Sequence, residues 1–428
     1  MSHMHESSQS IRDRFSRSVV PNYARFPLVI REARGFEIVD VDGRRYLDMG
    51  CGIAVNCLGH SHPDLQGALQ NQMGKLDHIS NLYHFEEQVV LAEALIDRIG
   101  PGKCFFCNSG AEANEAIIKL ARKFGDPEGR YDIVTTTNSF HGRTLATIAA
   151  TGQEKVRTGF GPLFPGFSQV PYNDLEAMKS AVNDRTIAIL IEGVQGEGGL
   201  TPASIEYLKG IRELCDSRNM LFLMDGVQCG HFRTGRFQSI QRILNLPDNT
   251  RDKDAIQFMP DAISLGKSLG GGFPTAGIWA SRKVQDVLGA GSHGTTYGGN
   301  PLACRIASTI LDVIARDHLD RNILQLEPVL RNMLNGMAES FPDMVETSRG
   351  LGFMQGLVLR DQSDIFKAND KMTASVQVTL AAQERGLIII PAGPRVVRFL
   401  PAYNITAAHI EESGTKLHDA LTDIKNTL

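Results

Sequence analysis

The sequence lacks long hydrophobic runs and blocks of like charge. Its longest apolar stretches, such as Thr186 to Ile191 and Leu387 to Pro391, fall far short of the roughly 20 residues that a membrane helix needs. The 44 basic and 48 acidic residues are interspersed and the net charge is only -4, so no basic stripe predicts contact with nucleic acid or a membrane surface. Chemistry on small molecules is therefore favoured. The polar N-terminus has no apolar h-region, which predicts a cytoplasmic protein.

Cysteines are too few and too scattered for a disulfide framework. The chain has 7, an odd number spread over its length, which predicts reduced thiols. Cys104 and Cys107 have CxxC spacing, but no second pair follows at zinc-site distance, so we interpret them as two semi-buried thiols on a strand. His60 and His62 could ligate a metal, yet no third ligand is evident and a pair of turn histidines is favoured. No metal site is predicted.

Length and apolar content indicate a large core divided between two domains. The chain has 428 residues, 42% of them hydrophobic, which is more than one average domain requires. No repeat period or low-complexity tract is visible, which argues against solenoids and propellers. Met1 to Met4 resemble a cloning remnant and carry no information on the fold.

Short apolar runs alternate with helical stretches between residues 103 and 273, which predicts an α/β fold with a mostly parallel sheet. An Asp-Gly turn between Glu37 and Asp48 predicts a hairpin, and Ala303 to Ala315 predicts a long helix. We therefore expect a large domain over residues 71–310 and a smaller α+β domain over residues 311–428, which residues 1–70 complete. The predicted strands of the large domain are Cys104 to Cys107, Asp132 to Thr136, Ile187 to Ile191, Leu221 to Met224 and Ala262 to Ser264.

The predicted strand that ends at Cys107 turns through Ser109 and Gly110 into a helix with apolar residues at helical spacing. Free backbone N-H groups and the positive end of the helix dipole at such a turn can bind a phosphate group. Taken alone, Ser-Gly before a helix is more often only an N-cap. Ligands of open α/β sheets bind at the carboxyl ends of strands, however, and two further motifs fall at that edge.

Two ionisable residues follow predicted strands at this edge. Asp225 comes directly after Leu221 to Met224; a lone acid there is often a cap or a loop residue, but a buried carboxylate also suits the protonated pyridine nitrogen of a cofactor. Lys267 lies between a strand and Gly270 to Gly272. A lysine in an ordinary loop faces water, whereas a desolvated lysine is the nucleophile that forms Schiff bases. Position alone does not separate these interpretations.

Six short motifs follow one another along the chain. They are Asn108 to Asn114, Phe140 to Thr144, Glu192 to Gly199, Asp225 to Gly235, Lys267 to Pro274 and Gly294 to Pro301. Their order and approximate spacing resemble those of class III pyridoxal-phosphate (PLP) dependent aminotransferases. The resemblance runs from about Tyr23 to the C-terminus, and it implies a fold-type I PLP transferase with PLP as cofactor.

The resemblance assigns roles around the cofactor ring to matching residues. Lys267 is expected to bind PLP as a Schiff base and then to move the proton between the substrate α-carbon and the cofactor C4′. Asp225 is expected to pair with the pyridinium nitrogen, and Gln228 to hydrogen-bond the phenolic oxygen. Phe140 and Val227 are expected to enclose the ring.

The resemblance also implies a phosphate site shared between two subunits. Ser109, Gly110 and Ala111 are expected to bind the phosphate, and Thr296 of the partner subunit is expected to reach it. This implies a homodimer with shared active sites.

Three residues resemble the family's substrate-binding residues. Arg143 is expected to bind a substrate carboxylate through its planar guanidinium, with a surface arginine as the alternative. Arg398 resembles a second carboxylate-binding arginine and is expected to pair with Glu197. We expect this pair to act as a gate, closed for an amino donor with an uncharged or cationic tail and open for 2-oxoglutarate.

The expected activity is a ping-pong amino transfer. Tyr23 to Leu28 and Gly294 to Pro301 are most similar to the family members that act on acetylornithine, which implies transfer from N-acetylornithine to 2-oxoglutarate in arginine biosynthesis. Ornithine, succinylornithine, 4-aminobutyrate and lysine-derived donors stay open as alternatives. A mutase or decarboxylase on the same fold is a further alternative. A nucleotide-binding or regulatory α/β protein is the most distant one, because it would leave Lys267 and Asp225 unexplained.

Two positions depart from the family pattern. Gly226 stands where most members have glutamate after the aspartate, and Phe232 occupies a position that is usually small. Because Asp225 and Gln228 stay in register, we expect cofactor binding to survive. His141, a lone histidine in a turn, is interpreted as structural rather than catalytic.

Overall fold

The structure is a computed structural model that describes residues 7–248, 256–369 and 371–426. Met1 to Met4, interpreted above as a cloning remnant, lie outside these residues. Within the described ranges, no helix is long and apolar enough to cross a membrane. The helices are α1 Ser8–Ser18, α2 Cys51–Ala54, α3 Pro63–Met73, α4 Glu86–Ile99, α5 Gly110–Gly125, α6 Leu145–Ala150, α7 Glu154–Arg157, α8 Leu175–Ala181, α9 Ile205–Ser217, α10 Ser239–Ile243, α11 Pro301–Arg316, α12 Leu319–Ser340, α13 Asp364–Lys367, α14 Ala374–Glu384 and α15 Ala407–Asn426, with short 3-10 turns at Asp126–Glu128 and Lys267–Leu269.

The strands form one large sheet and three smaller ones. They are β1 Ile30–Arg34, β2 Glu37–Asp40, β3 Arg45–Asp48, β4 Gly102–Cys107, β5 Asp132–Thr136, β6 Phe167–Val170, β7 Thr186–Glu192, β8 Val194–Gln195, β9 Thr201–Pro202, β10 Leu221–Asp225, β11 Ala262–Leu265, β12 Ala276–Ser281, β13 Val345–Leu351, β14 Met354–Leu359, β15 Leu387–Ile388, β16 Ile390–Ala392 and β17 Val396–Phe399.

The large sheet has the order β4-β12-β11-β10-β7-β5-β6, and only β12 runs antiparallel to its neighbours. The α/β fold with a mostly parallel sheet is thus confirmed. All five predicted strands are present, whereas β6 and β12 were not predicted. Strand β6 has only four residues, two of them polar, and β12 begins with Ala-Gly, two residues of low strand propensity, so neither has the Val- and Ile-rich run that predicts a buried strand.

Both faces of the central strands are covered, which fixes their positions. Side chains of β7 and β10 alternate between two hydrophobic clusters: Ile189 and Phe222 belong to the larger one, whereas Leu190 and Leu223 pack with α5 in the other. Every residue of β7 and of β10 is buried, as expected for parallel strands between two layers of helices.

The smaller α+β part joins the two ends of the chain. Strands β2 and β3 form the predicted hairpin, and β15 pairs in parallel with β3, so a C-terminal strand completes an N-terminal sheet. The other small-domain sheet is antiparallel, in the order β13-β14-β17-β16. The boundaries at residues 70 and 310 stay a prediction; the second of them falls inside α11.

Candidate active site

The register of three parallel strands places acidic and hydroxyl side chains side by side at the carboxyl edge of the large sheet. Glu192 of β7 is paired with Asp225 of β10, which is paired with Ser264 of β11. Lys267 follows Ser264 by three residues, at the same edge. The sequence motifs therefore meet where ligands of parallel α/β sheets bind.

Asp225 is a buried carboxylate, 3% exposed, that accepts hydrogen bonds at both oxygens. Its Oδ2 lies 2.7 Å from Asn114 Nδ2 and 2.8 Å from His141 Nδ1. Its Oδ1 accepts the Val227 backbone N-H at 3.0 Å and has only a long contact, 3.4 Å, with Ser264 Oγ. Since a carboxylate has about four lone-pair sites, Oδ1 can accept one more short hydrogen bond, which fits the protonated nitrogen of a cofactor ring.

Asn114 and His141 are site residues whose role sequence reasoning missed. Asn114 Nδ2 also donates to the carbonyl oxygen of His141 at 2.7 Å, and the His141 backbone N-H donates to Thr151 Oγ1 at 2.9 Å. Together they hold the Asp225 carboxylate from the side of α5. The available signal was a polar residue on the buried face of a helix, because Asn114 stands three residues before the buried Ile117.

Lys267 begins the 3-10 turn Lys267–Leu269 with a left-handed φ of 48°. Its carbonyl oxygen accepts the backbone N-H of Gly270 at 3.0 Å and of Gly271 at 3.3 Å, which anchors the turn. A non-glycine residue in this region costs on the order of 1 kcal/mol, so its neighbours must hold the conformation. The backbone of Lys267 is therefore fixed in place by the glycines that follow.

The surroundings of Lys267 favour a neutral amine. Desolvation lowers the pKa of Lys267 below its usual value, and the nearby positive charge of Arg398 lowers it further, while Glu197, Asp225 and Glu192 oppose the shift. A neutral amine is the form that attacks carbonyl carbons and accepts protons.

Glycines let backbone segments meet beside Lys267. A Cβ on Gly110 would lie 2.6 Å from Val227 Cγ1, and a Cβ on Gly266 would lie 3.3 Å from the same atom and 3.5 Å from the Gly110 Cα. Ser109 caps α5 by accepting a hydrogen bond from its first turn, as predicted. The N-H groups of Gly110 and Ala111 precede the first intrahelical hydrogen bonds and suit an anion.

The structure pairs Arg398 with Glu197 at the other side of the site. Arg398, 1% exposed, donates to Glu197 from Nη1 at 2.5 Å and from Nη2 at 3.2 Å. Nη1 also lies 3.2 Å from the Gln228 side-chain oxygen and 3.2 Å from the Gly196 carbonyl oxygen. Desolvation opposes ionisation of Glu197, but the charges of Arg398 and Lys267 and the hydrogen bonds from Arg398 and Gln228 outweigh it and lower the pKa of Glu197.

Two predicted residues are exposed at the rim. The guanidinium of Arg143 lies 5.5 Å from the ring centroid of Phe140, so the two predicted site residues are in contact. Thr296 is also exposed, and the neighbouring Thr295 Oγ1 lies 3.2 Å from Asn108 Nδ2, directly before the Ser109 turn.

The departures from the family pattern have a packing explanation. A Cβ on Gly226 would lie 2.7 Å from Gln238 Oε1 and 2.9 Å from the Ser264 carbonyl oxygen, so the fully buried Gln238 side chain occupies the space next to Gly226. Phe232 is buried, with its ring 5.2 Å from that of Phe237 in an edge-to-face contact. Both residues are thus accommodated by packing against buried side chains, Gln238 in one case and Phe237 in the other.

The remaining candidates have structural positions. Cys104 and Cys107 lie on β4, and burial raises the pKa of each thiol to about 12. His60 Nε2 lies 2.8 Å from Asp48 Oδ2, and His62 precedes α3. Over the described ranges, no group of three or more His, Cys, Asp or Glu residues is placed to hold a metal ion.

A wide groove of about 1060 Å³ lies beside the Lys267 site rather than around it. Its lining comes from the chain before α4, from α4 itself, from β4 and from residues 290–295, and includes Asn81, Phe85, Phe105 and His293. Large apolar side chains project nearby, with Leu82 86% and Tyr297 64% exposed. Exposed large apolar side chains of this kind are typical of a surface that contacts another protein.

Comparison with known proteins gives consistent results. A family model described as aminotransferase class-III matches residues 18–421. Acetylornithine aminotransferase 1 of Pseudomonas syringae pv. tomato is 40% identical over 414 residues, which are 96% of this chain and 96% of that protein. The ornithine aminotransferase of Toxoplasma gondii ME49 has a TM-score of 0.89 and 28% identity, over 99% of this chain and 97% of that chain. The N-acetylornithine aminotransferase of Stenotrophomonas maltophilia K279a has a TM-score of 0.79 and 32% identity, over 97% and 100% of the two chains.

Proposed function

This chain belongs to the class-III aminotransferase family, and on that basis we propose that it transfers the terminal amino group of N-acetylornithine to 2-oxoglutarate. The products are N-acetylglutamate semialdehyde and glutamate, as in arginine biosynthesis. The observation that carries the proposal is a half-buried, desolvated lysine under the influence of the charges of Glu197, Arg398 and Asp225, in a chain whose relatives at about 40% identity are named acetylornithine aminotransferases. The family match argues against a nucleotide-binding or regulatory protein.

The cofactor is PLP, whose ring, when bound, withdraws electrons from the substrate carbon that loses its proton. Asp225 would keep a proton on the ring nitrogen through the free acceptor site of Oδ1. Backbone N-H groups at Ser109, Gly110 and Ala111 would bind the phosphate at the N-terminus of α5.

The faces and the phenolic edge of the cofactor are assigned to three further residues. Phe140 and Val227 would contact the two faces of the ring. Gln228, held by Arg398, would donate to the phenolic oxygen.

Lys267 would perform the proton transfer. Its Nζ, whose pKa is lowered by desolvation, can in its neutral form attack a carbonyl carbon, and after release it can take a proton from the substrate carbon and return it. The surrounding carboxylates stabilise the protonated amine between these two events.

The Arg398–Glu197 pair would let one site accept two different substrates. With the pair closed, Arg398 is neutralised and a donor with an uncharged tail can bind beside it. When 2-oxoglutarate binds, the carboxylate next to its reacting keto carbon would displace Glu197 and take the Arg398 hydrogen bonds, since a guanidinium binds a carboxylate in a bidentate way. Arg143 would hold the other carboxylate.

Replacement of Lys267 tests the proposed function. We expect Lys267→Ala to abolish glutamate formation from N-acetylornithine and 2-oxoglutarate while PLP binding is only weakened. Lys103→Ala, a change at an exposed surface lysine, is the control and should retain activity. Turnover by the Lys267→Ala protein would contradict the proposal.

A second candidate donor is ornithine. The observation in its favour is the structural likeness to the Toxoplasma gondii ornithine aminotransferase. The two donors differ by an acyl group that removes one positive charge, so discrimination depends on the few groups near the donor tail.

The groove beside the site and the exposed Thr296 support a homodimer with shared active sites. Mixing Lys267→Ala subunits with Thr296→Val subunits tests this. If Thr296 serves the partner's site, each mixed dimer contains one site with both native residues, and glutamate formation should recover on mixing. No recovery, with mixed dimers present by mass, would contradict the sharing of sites.

A cytoplasmic location fits the state of the thiols. All seven cysteines lie in the described ranges and none of them is disulfide-bonded. Fractionation of the producing cells would test this location, and recovery in the membrane or exported fraction would contradict it.

A further inference from the structure

One buried carboxylate near the site has no role in the proposed amino-transfer reaction. Glu192 is the last residue of β7, and its side chain is 4% exposed. Its Oε1 accepts the backbone N-H of Phe140 at 3.0 Å, and its Oε2 accepts the backbone N-H of Gly196 at 2.9 Å. The two N-H groups belong to segments that follow different strands, β5 and β8.

Each of these segments bears residues of the proposed reaction. Phe140 would face the cofactor ring, and Arg143 stands three residues after it. Gly196 directly precedes Glu197, the partner of Arg398. The carboxylate of Glu192 is thus the link by which both segments are hydrogen-bonded to the end of β7.

We propose that Glu192 is a positioning residue that ties the Phe140 segment and the Gly196–Glu197 segment to β7, and that it does so only in its ionised form. This inference rests on the proposed function for its effect on turnover. Its structural part, the two backbone hydrogen bonds, stands without it.

The requirement for the ionised form follows from hydrogen-bond counting. A carboxylate has two acceptor oxygens and no donor, so it can accept both N-H groups at once. A protonated carboxyl group has an O-H on one oxygen, and that O-H would face a backbone N-H. A hydroxyl oxygen is a much weaker acceptor than a carboxylate oxygen, so only one of the two strong links survives protonation and the other buried backbone N-H is poorly paired.

The groups that face Glu192 place its pKa near neutral pH. Burial raises its pKa to about 7; the charge of His141 lowers it, the nearby Asp225 raises it, and the N-H groups of Gly196 and Phe140 lower it again. The other titratable groups that act on it or respond to it are Tyr172, whose hydroxyl donates to the Glu192 backbone carbonyl at 2.6 Å, Cys229 and Lys267.

The test is Glu192→Gln, which keeps the size of the side chain but replaces one acceptor with an NH2 donor. We expect kcat in both half-reactions to fall about tenfold at pH 8, the loss of roughly one hydrogen bond. The wild-type rate should decline as the pH falls through about 7, the pKa of Glu192, whereas the variant should lack that decline. Tyr172→Phe, which keeps the Glu192 carboxylate and removes a neighbouring hydroxyl, should still show the decline in rate at acid pH.

A second readout needs no turnover. Hydrogen exchange of the apo protein, measured by mass spectrometry on peptides spanning residues 138–142 and 194–198, should be faster in Glu192→Gln than in wild type at pH 8. In the wild-type protein alone, protection of these peptides, corrected for intrinsic rates, should decrease as the pH falls through 7. The wild-type experiment holds even if the variant does not fold.

Unchanged exchange in both peptides, or a wild-type protection that does not depend on pH, would overturn the inference. So would a variant that keeps the wild-type acid decline in rate. If the chain proves not to use N-acetylornithine, the exchange result is unaffected, so failure of the proposed function and failure of this inference are distinguishable.

Discussion

Replacing Glu197 with glutamine isolates the gate, because it removes the charge and keeps the size of the side chain. In the structure Glu197 takes two hydrogen bonds from Arg398, and a carboxylate substrate must displace it before it can use the same donors. Glutamine can accept only one of these bonds and carries no charge. We therefore expect Glu197→Gln to bind 2-oxoglutarate more tightly and to lose its preference for donors with an uncharged tail.

The size of the expected effect on 2-oxoglutarate binding follows from the hydrogen bonds between Glu197 and Arg398. Hydrogen bonds to charged groups contribute about 1.5–3 kcal/mol in net terms. Arg398 is buried but the Glu197 side chain is 26% exposed, so solvent screens part of the pair and the lower half of that range applies. At about 1.4 kcal/mol per tenfold change, opening the gate weakens 2-oxoglutarate binding about tenfold or somewhat more.

The assay is the KM for 2-oxoglutarate and for N-acetylornithine, each measured in its own half-reaction. We expect the KM for 2-oxoglutarate to fall about tenfold, because a cost of about 1.4 kcal/mol corresponds to a tenfold change in affinity. Glu346→Gln, which breaks the surface pair with Arg395, is the control and should leave both KM values unchanged. A Glu197→Gln protein with unchanged KM values and an unchanged donor preference would refute the gate.

Two further predictions concern stability. Gly226→Ala places a Cβ 2.7 Å from Gln238 Oε1, and this overpacking should lower the free energy of unfolding, measured by urea titration, by about 1–3 kcal/mol. A second change, Gln238→Ala, should restore part of this loss. Gly289→Ala, with open space around it, is the control, and full stability of Gly226→Ala would contradict the packing explanation. For Glu192 the folded pKa of about 7 exceeds the unfolded value of 4.5, because the cost of burying its charge exceeds the stabilisation from its two hydrogen bonds. Its contribution to the global free energy of unfolding is therefore full below pH 4.5 and is lost as the pH rises to 7, although protonation weakens the local links to the Phe140 and Gly196 segments. Relative to Glu192→Gln, the wild-type protein should therefore lose about 2–3 kcal/mol of unfolding free energy between pH 5 and pH 8, and a difference that is flat or rises with pH would contradict this.

Strong local patterns made much of the fold predictable. The buried strands β7 and β10 are continuous apolar runs, and the Asp-Gly turn before β3 marks a hairpin, so their existence followed from the sequence. Strand β12 was missed because its antiparallel pairing with β4 and β11 depends on contacts that are distant in the chain. Strand β15 pairs with β3 across more than 300 residues, a contact that local pattern does not encode.

The site residues on strand ends and tight turns could be predicted because the motifs around them resemble those of the family. Glu192 and Asn114 lay within recognised motifs, but their roles depend on which atoms face them after folding. Gly226 had no explanation in the sequence, since the side chain that fills its space, Gln238, lies twelve residues away and acts only through packing. Roles of this kind depend on residues that become neighbours only when the chain folds, so they are visible in the structure and not in the sequence.

The most direct test of the account is a donor panel with 2-oxoglutarate as acceptor and glutamate as the measured product. The purified chain, supplied with PLP, would be offered N-acetylornithine, N-succinylornithine, ornithine, 4-aminobutyrate and lysine at matched concentrations. We predict the highest kcat/KM for N-acetylornithine and no glutamate from any donor with Lys267→Ala. A higher kcat/KM for another donor would reassign the substrate, and turnover without an oxo acid, or with release of carbon dioxide, would contradict the proposed reaction.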